Sequence, residues 1–422
     1  MLQNPFYLFF TACLGLFFWA GYRRIFAEVP YRHSLWSFLG EECAQGQRRA
    51  IVRALLAGLP GDSGAMAWIL TMAALCLGGA GALFWYLVFS LLWLHPLGAL
   101  AGLWCYYQPG CGGRVELSAL LEGMLCRKRA RARPGLGRLL RWLQTLALCG
   151  MLPLLFRILA SPSAPARGAG LLPWLVVLLA LWLLCRLVGE RGETVLSLLF
   201  LLLLAAALLG NLPNLIPAVK LVLLDAFDRS RFLFSLSGAG LAAALQAGGA
   251  AGCGGALLRT LSAREEGPSF AHPAQAAFYE ELRGLLQLTV QLALGLLFLC
   301  ARLVPEDNRW PQTCLWAFLC LFGLLWLGRA VRALARPEGR RCGLLCFGLV
   351  GAAAVWDIWK GTALLPGLSG GAAGLASLAL AGLLLFDSNW YFLLLEHYRD
   401  VHIWHVTPHP DLMQTEMERK NM

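Results

Sequence analysis

The chain has 422 residues, 59% of them hydrophobic and only 14% charged, with a mean hydropathy of +0.64. Soluble domains carry about 25% charged and about 45–50% apolar residues, and a water-soluble sphere of this size could not hide so much apolar side chain. Disorder, a collagen-like fibre and a small secreted disulfide scaffold are excluded too. The net charge of +11 sits in short segments between apolar runs. That is the distribution of a polytopic membrane protein, not the aromatic-interleaved basic stripe of a nucleic-acid binder.

A spanning helix needs about 20 apolar residues to cross about 30 Å of hydrocarbon. The apolar runs predict an all-α membrane protein with eleven spans, at 5–22, 50–78, 80–107, 138–160, 171–188, 194–217, 233–258, 284–303, 313–335, 342–360 and 371–390. The first begins almost at Met1 without a basic leader, and Arg23 and Arg24 follow it. It therefore reads as an anchor, not a cleavable signal. The second contains Gly58-Leu59-Pro60-Gly61-Asp62-Ser63-Gly64. Proline lacks a donor, glycine weakens a helix, and an aspartate facing lipid is costly. An unwound point facing protein or water is expected there. Gly78, Gly79 and Gly81 permit a tight reversal into the third span, which carries His95 before Pro96. The run Arg127, Lys128, Arg129, Arg131 and Arg133 fits a cytoplasmic loop, with anionic lipid as a second reading.

Asn211 and Asn214 flank Pro213 near the end of the sixth span and suit a cap. The seventh contains Gly248-Gly249-Ala250-Ala251-Gly252-Cys253-Gly254-Gly255. This is either a second interruption or a small-residue packing surface. Gln287 and Gln291 stand i,i+4 on the eighth, suited to lining a path or to bonding another helix. Asp357 beside Trp356 reads as interfacial. His402, His405 and His409 lie in the tail, with Pro408 among them and no zinc spacing. The 14 cysteines sit mostly in apolar runs, without a CxxC pair, and read as small hydrophobes.

Charge asymmetry orients the spans. The loops 23–49, 108–137, 189–193, 259–283 and 336–341 with the tail 389–422 hold 21 Lys or Arg, against 5 on the opposite side. The richer side is cytoplasmic, which puts the N-terminus outside and the C-terminus inside. Two interrupted helices five spans apart are the pointer to a secondary-transporter site. They divide the chain into a first helix and linker (1–49), two inverted five-helix repeats (50–217 and 218–390) and a cytoplasmic tail (391–422).

Several stretches then resemble one family in order and spacing from Asn4 to about Tyr398. Gly78-Gly79-Ala80-Gly81-Ala82-Leu83-Phe84-Trp85 is similar to a GGPGAxFW motif. Tyr106-Tyr107 stands near a closing lysine-tyrosine-arginine. Gly112-Gly113 with Leu121-Glu122-Gly123 is similar to a GGPMYYxExGL loop. Gly210-Asn211-Leu212-Pro213 and Asp225-Ala226-Phe227 resemble GNIP and SAF, His272-Pro273 with Gln275 resembles HPxxQ, and Val355-Trp356-Asp357-Ile358 resembles the stretch before the last helix. The chain thus resembles the alanine or glycine:cation symporters, the sodium:alanine symporter or amino-acid carrier family. The resemblance implies eleven helices on the leucine-transporter fold, with helices 2 and 7 broken. It also implies a bacterial inner membrane and symport of a small amino acid with sodium or a proton, without another cofactor.

The departures fall at the chemistry. The family's GTGN in the second helix corresponds to Gly61-Asp62-Ser63-Gly64, and its SNEAG in the seventh to a stretch near Gly252-Cys253-Gly254-Gly255-Ala256-Leu257-Leu258, without serine, asparagine or glutamate. Leu100 stands near the family's third-helix glutamate. The resemblance implies a substrate site at Gly61, Asp62, Ser63, Gly64, Gly252, Gly254 and Gly255. A half-helix N-terminus near Gly61–Gly64 can still offer donors to a carboxylate. Asp62 suits an ammonium acceptor, a proton site coupled to transport, or a helix N-cap. Sodium wants several hard oxygens, and 252–258 supplies no side-chain oxygen. A non-transporting relative, acting as an interaction or sensing subunit, is therefore the second expectation. An enzyme is not expected, because no P-loop, DxD pair or zinc signature occurs.

Overall fold

A membrane interior offers no water to unpaired peptide groups, so each spanning segment satisfies its backbone internally, as a helix does. The computed structural model of the chain describes residues 2–27, 45–59, 64–107, 134–159, 179–180, 183, 190–227, 240–261, 273–303, 310–334, 340–361, 368, 371–376 and 378–380. These are almost wholly helical, with no strand among the described residues. The helices are α1 (Pro5–Ala27), α2 (Gln45–Gly58), α3 (Gly64–Gly78), α4 (Ala82–Tyr107), α5 (Pro134–Leu159), α6 (Glu190–Gly210), α7 (Leu212–Phe227), α8 (Gly240–Leu261), α9 (Pro273–Leu303), α10 (Trp310–Leu334) and α11 (Arg340–Lys360). Arg138–Phe156, Phe278–Cys300 and Gly343–Lys360 are each long and apolar enough to cross a membrane, and α6 with α7 adds a fourth span if that bent pair counts as one. Shorter apolar stretches lie in α1, α3, α4 and α10. The architecture is that of an all-α membrane protein.

The centre of the bundle is α4 beside α8. A Cβ at Gly248 would stand 2.1 Å from the Ala82 carbonyl oxygen, and one at Gly252 would stand 2.7 Å from that of Tyr86, so these helices run the same way. In contrast, α3 runs against α8: Gly78 meets Ala243 and Ala247, while Gly255 meets Leu70. Helix α9 is antiparallel to α4, with Gly295 on Leu83 and Glu281 on Gly98. Helix α1 lies along the seam, where Gly249 takes Leu8 and Gly15 takes Leu92 and Trp93. Gly79, at φ 71°, makes the reversal between α3 and α4, a conformation only glycine adopts without strain.

The expected sixth span, 194–217, is not one rod. Helix α6 stops at Gly210, and α7 turns away by 88°. The reason is Asn211. Its Nδ2 donates to Ala207 O at 2.8 Å and its backbone N to the same oxygen at 3.1 Å, which closes α6. Its carbonyl then accepts from Asn214 N at 2.9 Å and Leu215 N at 3.0 Å, which opens α7. Pro213 sits in the first turn, where a missing N–H leaves nothing unpaired. The stretch from 218 onward, expected as a loop, continues as α7 to Phe227, so the expected boundary between the repeats falls inside this helix.

Candidate functional site

The second expected segment is described up to Leu59 and again from Gly64. Helix α2 ends at Gly58 and α3 begins at Gly64. Leu59 is buried. Gly61, Asp62 and Ser63 lie outside the described residues, and Gly64 opens α3.

The seventh segment corrects the sequence reading. Helix α8 is continuous from Gly240 to Leu261, so helix 7 is not broken at 248–255. A helical glycine costs about 1 kcal/mol relative to alanine, but the missing side chains let two backbones touch. Residues 247–256 are all buried. Gly248 and Gly252 receive the α4 backbone closer than any Cβ would allow. Gly252, Gly254 and Gly255 thus belong to a helix packed into the bundle, where small residues supply van der Waals contact in place of a hydrophobic driving force. Gly255 differs from Gly248 and Gly252. The nearest atoms to a Cβ there are Leu70 Cδ1 and the Tyr86 hydroxyl, each at 3.5 Å, which leaves room for a methyl group. Through the antiparallel contact Gly255 is level with Leu70, and Gly64 lies about 9 Å further along α3 at 1.5 Å per residue.

Polar groups gather along this seam. Tyr86, Ser90 and Trp93 recur at i, i+4, i+7 on α4, and each is 0% exposed. The Tyr86 hydroxyl donates to Gln291 Oε1 on α9, the interhelical bond that the glutamine pair suggested. Gln291 is 1% exposed, and neither its Nε2 nor Ser90 Oγ has a partner among the described residues. Gln287, one turn away, is buried as well. Further along α4, Thr11 and Trp93 lie against the Cys253 thiol, and the Thr11 hydroxyl donates to Tyr7 O at 2.6 Å. Sequence reasoning passed over Tyr86, Ser90 and Trp93. Their helical spacing was visible, but an aromatic or serine stripe reads equally well as core.

Two stretches noted in the sequence meet at the end of α4. A Cβ at Gly81 would fall 2.5 Å from Ala226 N and Asp225 C. Trp85 Nε1 donates to Ala226 O at 3.1 Å. The Phe227 ring lies 5.1 Å from Phe84 and 5.9 Å from Trp85. The turn at 78–85 therefore holds the end of α7 by its backbone.

The remaining candidates are scattered. His95 stands in α4 before Pro96. Asp357 is buried, while Trp356 and Trp359 are exposed with Lys360 Nζ 5.4 and 5.3 Å above their rings. His402, His405 and His409 lie outside the described residues. No group of three or more His, Cys, Asp or Glu able to hold a metal stands among the described residues. No protein-family model matches the chain, and no curated protein matches it.

Proposed function

We propose that this protein is a secondary carrier of a small amino acid or similar solute, coupled to sodium or a proton, with its site at the break between α2 and α3. The observation that carries the reading is in the sequence: Pro60, Gly61, Asp62 and Gly64 stand together within an apolar run long enough for one span, and proline and aspartate both disfavour a continuous helix facing lipid. Carriers use such half-helix ends to hold charged solute groups and coupling ions. The relative directions of α1, α3, α4, α8 and α9 are those of alternating crossings, which supports the eleven-span topology. The charge asymmetry supports an N-terminus outside and a C-terminus inside, and the family resemblance supports a bacterial inner membrane. The test is uptake of labelled alanine, glycine or serine into proteoliposomes under an imposed sodium or proton gradient. Gradient-driven uptake that disappears in Asp62→Asn is expected for the proton-coupled form, and unchanged uptake in that variant removes Asp62 from the coupling.

The sealed seam of Gly248 and Gly252 against α4 favours a second reading, a non-transporting relative that keeps the fold as an interaction or sensing subunit. It expects no stabilisation by amino acids. A ligand-dependent rise in melting temperature counts against it.

A further inference from the structure

From the cluster between α4, α8 and α9 we infer a binding subsite for an uncharged carboxamide group, lined by Tyr86, Ser90, Gln291 and Gly255. Three independent features meet there. First, buried polar atoms are almost always paired, and each one left unpaired carries a desolvation penalty. Gln291 Nε2 and Ser90 Oγ are both without a partner among the described residues, on side chains 1% and 0% exposed. Second, α4 and α9 are antiparallel, with Leu83 against Gly295, Tyr86 bonded to Gln291 and Gly98 against Glu281. That register places Ser90 one turn from Tyr86 on α4 and level with the turn that joins Gln287 to Gln291 on α9. Third, a Cβ at Gly255 would stand at ordinary contact distance, 3.5 Å, from the Tyr86 hydroxyl, whereas at Gly248 and Gly252 it would meet backbone.

The chemistry selects the ligand. The Tyr86 hydroxyl fixes the Gln291 amide by donating to its oxygen, so the open face of Gln291 is an N–H donor. Ser90 can accept or donate. A carboxamide answers both, because its carbonyl accepts from Gln291 Nε2 while its N–H donates to Ser90 Oγ. A carboxylate would place a bare charge among neutral groups, and burial of an unpaired charge is far more costly than burial of a neutral amide. A methyl group would leave both atoms unpaired. The subsite is level with Leu70, about 9 Å along α3 from Gly64, where that helix begins, so under the proposed carrier reading it receives the end of the solute away from its ammonium. This deepens the carrier reading and rests on it only for transport, not for binding.

The experiment uses the full chain in lipid nanodiscs and follows thermal unfolding with L-glutamine, L-asparagine, L-glutamate or L-alanine as probes. Glutamine or asparagine is expected to raise the melting temperature in a saturable way, with glutamate and alanine at least about tenfold weaker, the factor that one lost hydrogen bond to a neutral group gives. Two variants should fold and lose that preference: Ser90→Ala, which removes an unpaired hydroxyl, and Gly255→Ala, which sets a methyl group against the Tyr86 hydroxyl without a backbone clash. Three outcomes overturn the proposal: no shift with either carboxamide, an equal shift with alanine, or a carboxamide preference that survives both variants, which would leave the cluster holding a buried water only. Uptake is scored separately. A carboxamide-dependent shift without uptake sinks the carrier reading and keeps the subsite, whereas alanine uptake without a carboxamide preference does the reverse.

Discussion

The two glycine-rich stretches, 58–64 and 248–255, look alike in the sequence. In the first, the described helical residues stop at Leu59 and resume at Gly64, and 60–63 lie outside the described residues. The second runs unbroken through a close backbone contact with α4. The difference lies in what surrounds the glycines. At 58–64 a proline and an aspartate stand among them, and both work against a helix inside a membrane. At 248–255 the intervening residues are alanine and cysteine, which helices accept, and the α4 backbone fills the space that side chains would take. The company of the glycines thus bears on the reading: it marks close approach at 248–255, and at 58–64 it is the reason an interruption is expected.

Substitutions can break this comparison, beginning with the largest effect. Gly248→Leu forces a side chain into the Ala82 carbonyl, 2.1 Å from where its Cβ would start. Backbone cannot yield as a flexible side chain does, so overpacking here should exceed the usual ~1–3 kcal/mol and abolish the folded peak in size-exclusion chromatography. Gly81→Ala meets the backbone of Asp225 and Ala226 at 2.5 Å and should cost about 2–3 kcal/mol, with a changed Trp85 environment in fluorescence as α7 is pushed away. Tyr86→Phe leaves the Gln291 amide wholly unpaired and should destabilise by about 1–2 kcal/mol. Adding Gln291→Met should recover most of that loss in thermal unfolding, because neither polar partner then remains. Trp85→Phe removes the bond to Ala226 O and should cost about 1 kcal/mol. Gly255→Ala, with its Cβ at ordinary contact distance, should change stability by less than about 1 kcal/mol, and that contrast with Gly248 is the sharpest internal check.

Much of the helical scaffold was legible because lipid demands long apolar runs and short charged loops, and these leave a one-dimensional trace. The Gly78–Gly81 reversal was legible for a similar reason, since the turn needs a residue at positive φ. The bend at Asn211 was not. Apolar residues continue through Leu212, Leu215 and Ile216, so hydropathy sees one rod, and only the Asn211 bonds to Ala207 and Leu215 reveal two. The continuity of α8 was equally hidden. A glycine run reads the same whether a neighbour's backbone fills it or a cavity does, and that neighbour, Ala82, lies 166 residues away. The Tyr86–Gln291 bond spans 205 residues, beyond the reach of any local pattern.

The proposed site requires that the interval 60–63 meets water while the glycine face of α8 is sealed. Cysteine labelling tests it most directly. In a cysteine-free background reconstituted in liposomes, Ser63→Cys and a restored native Cys253 would each be exposed to a small, membrane-impermeant maleimide. Labelling at position 63 with silence at position 253 is the predicted result. Labelling at both positions, or at neither, would contradict it.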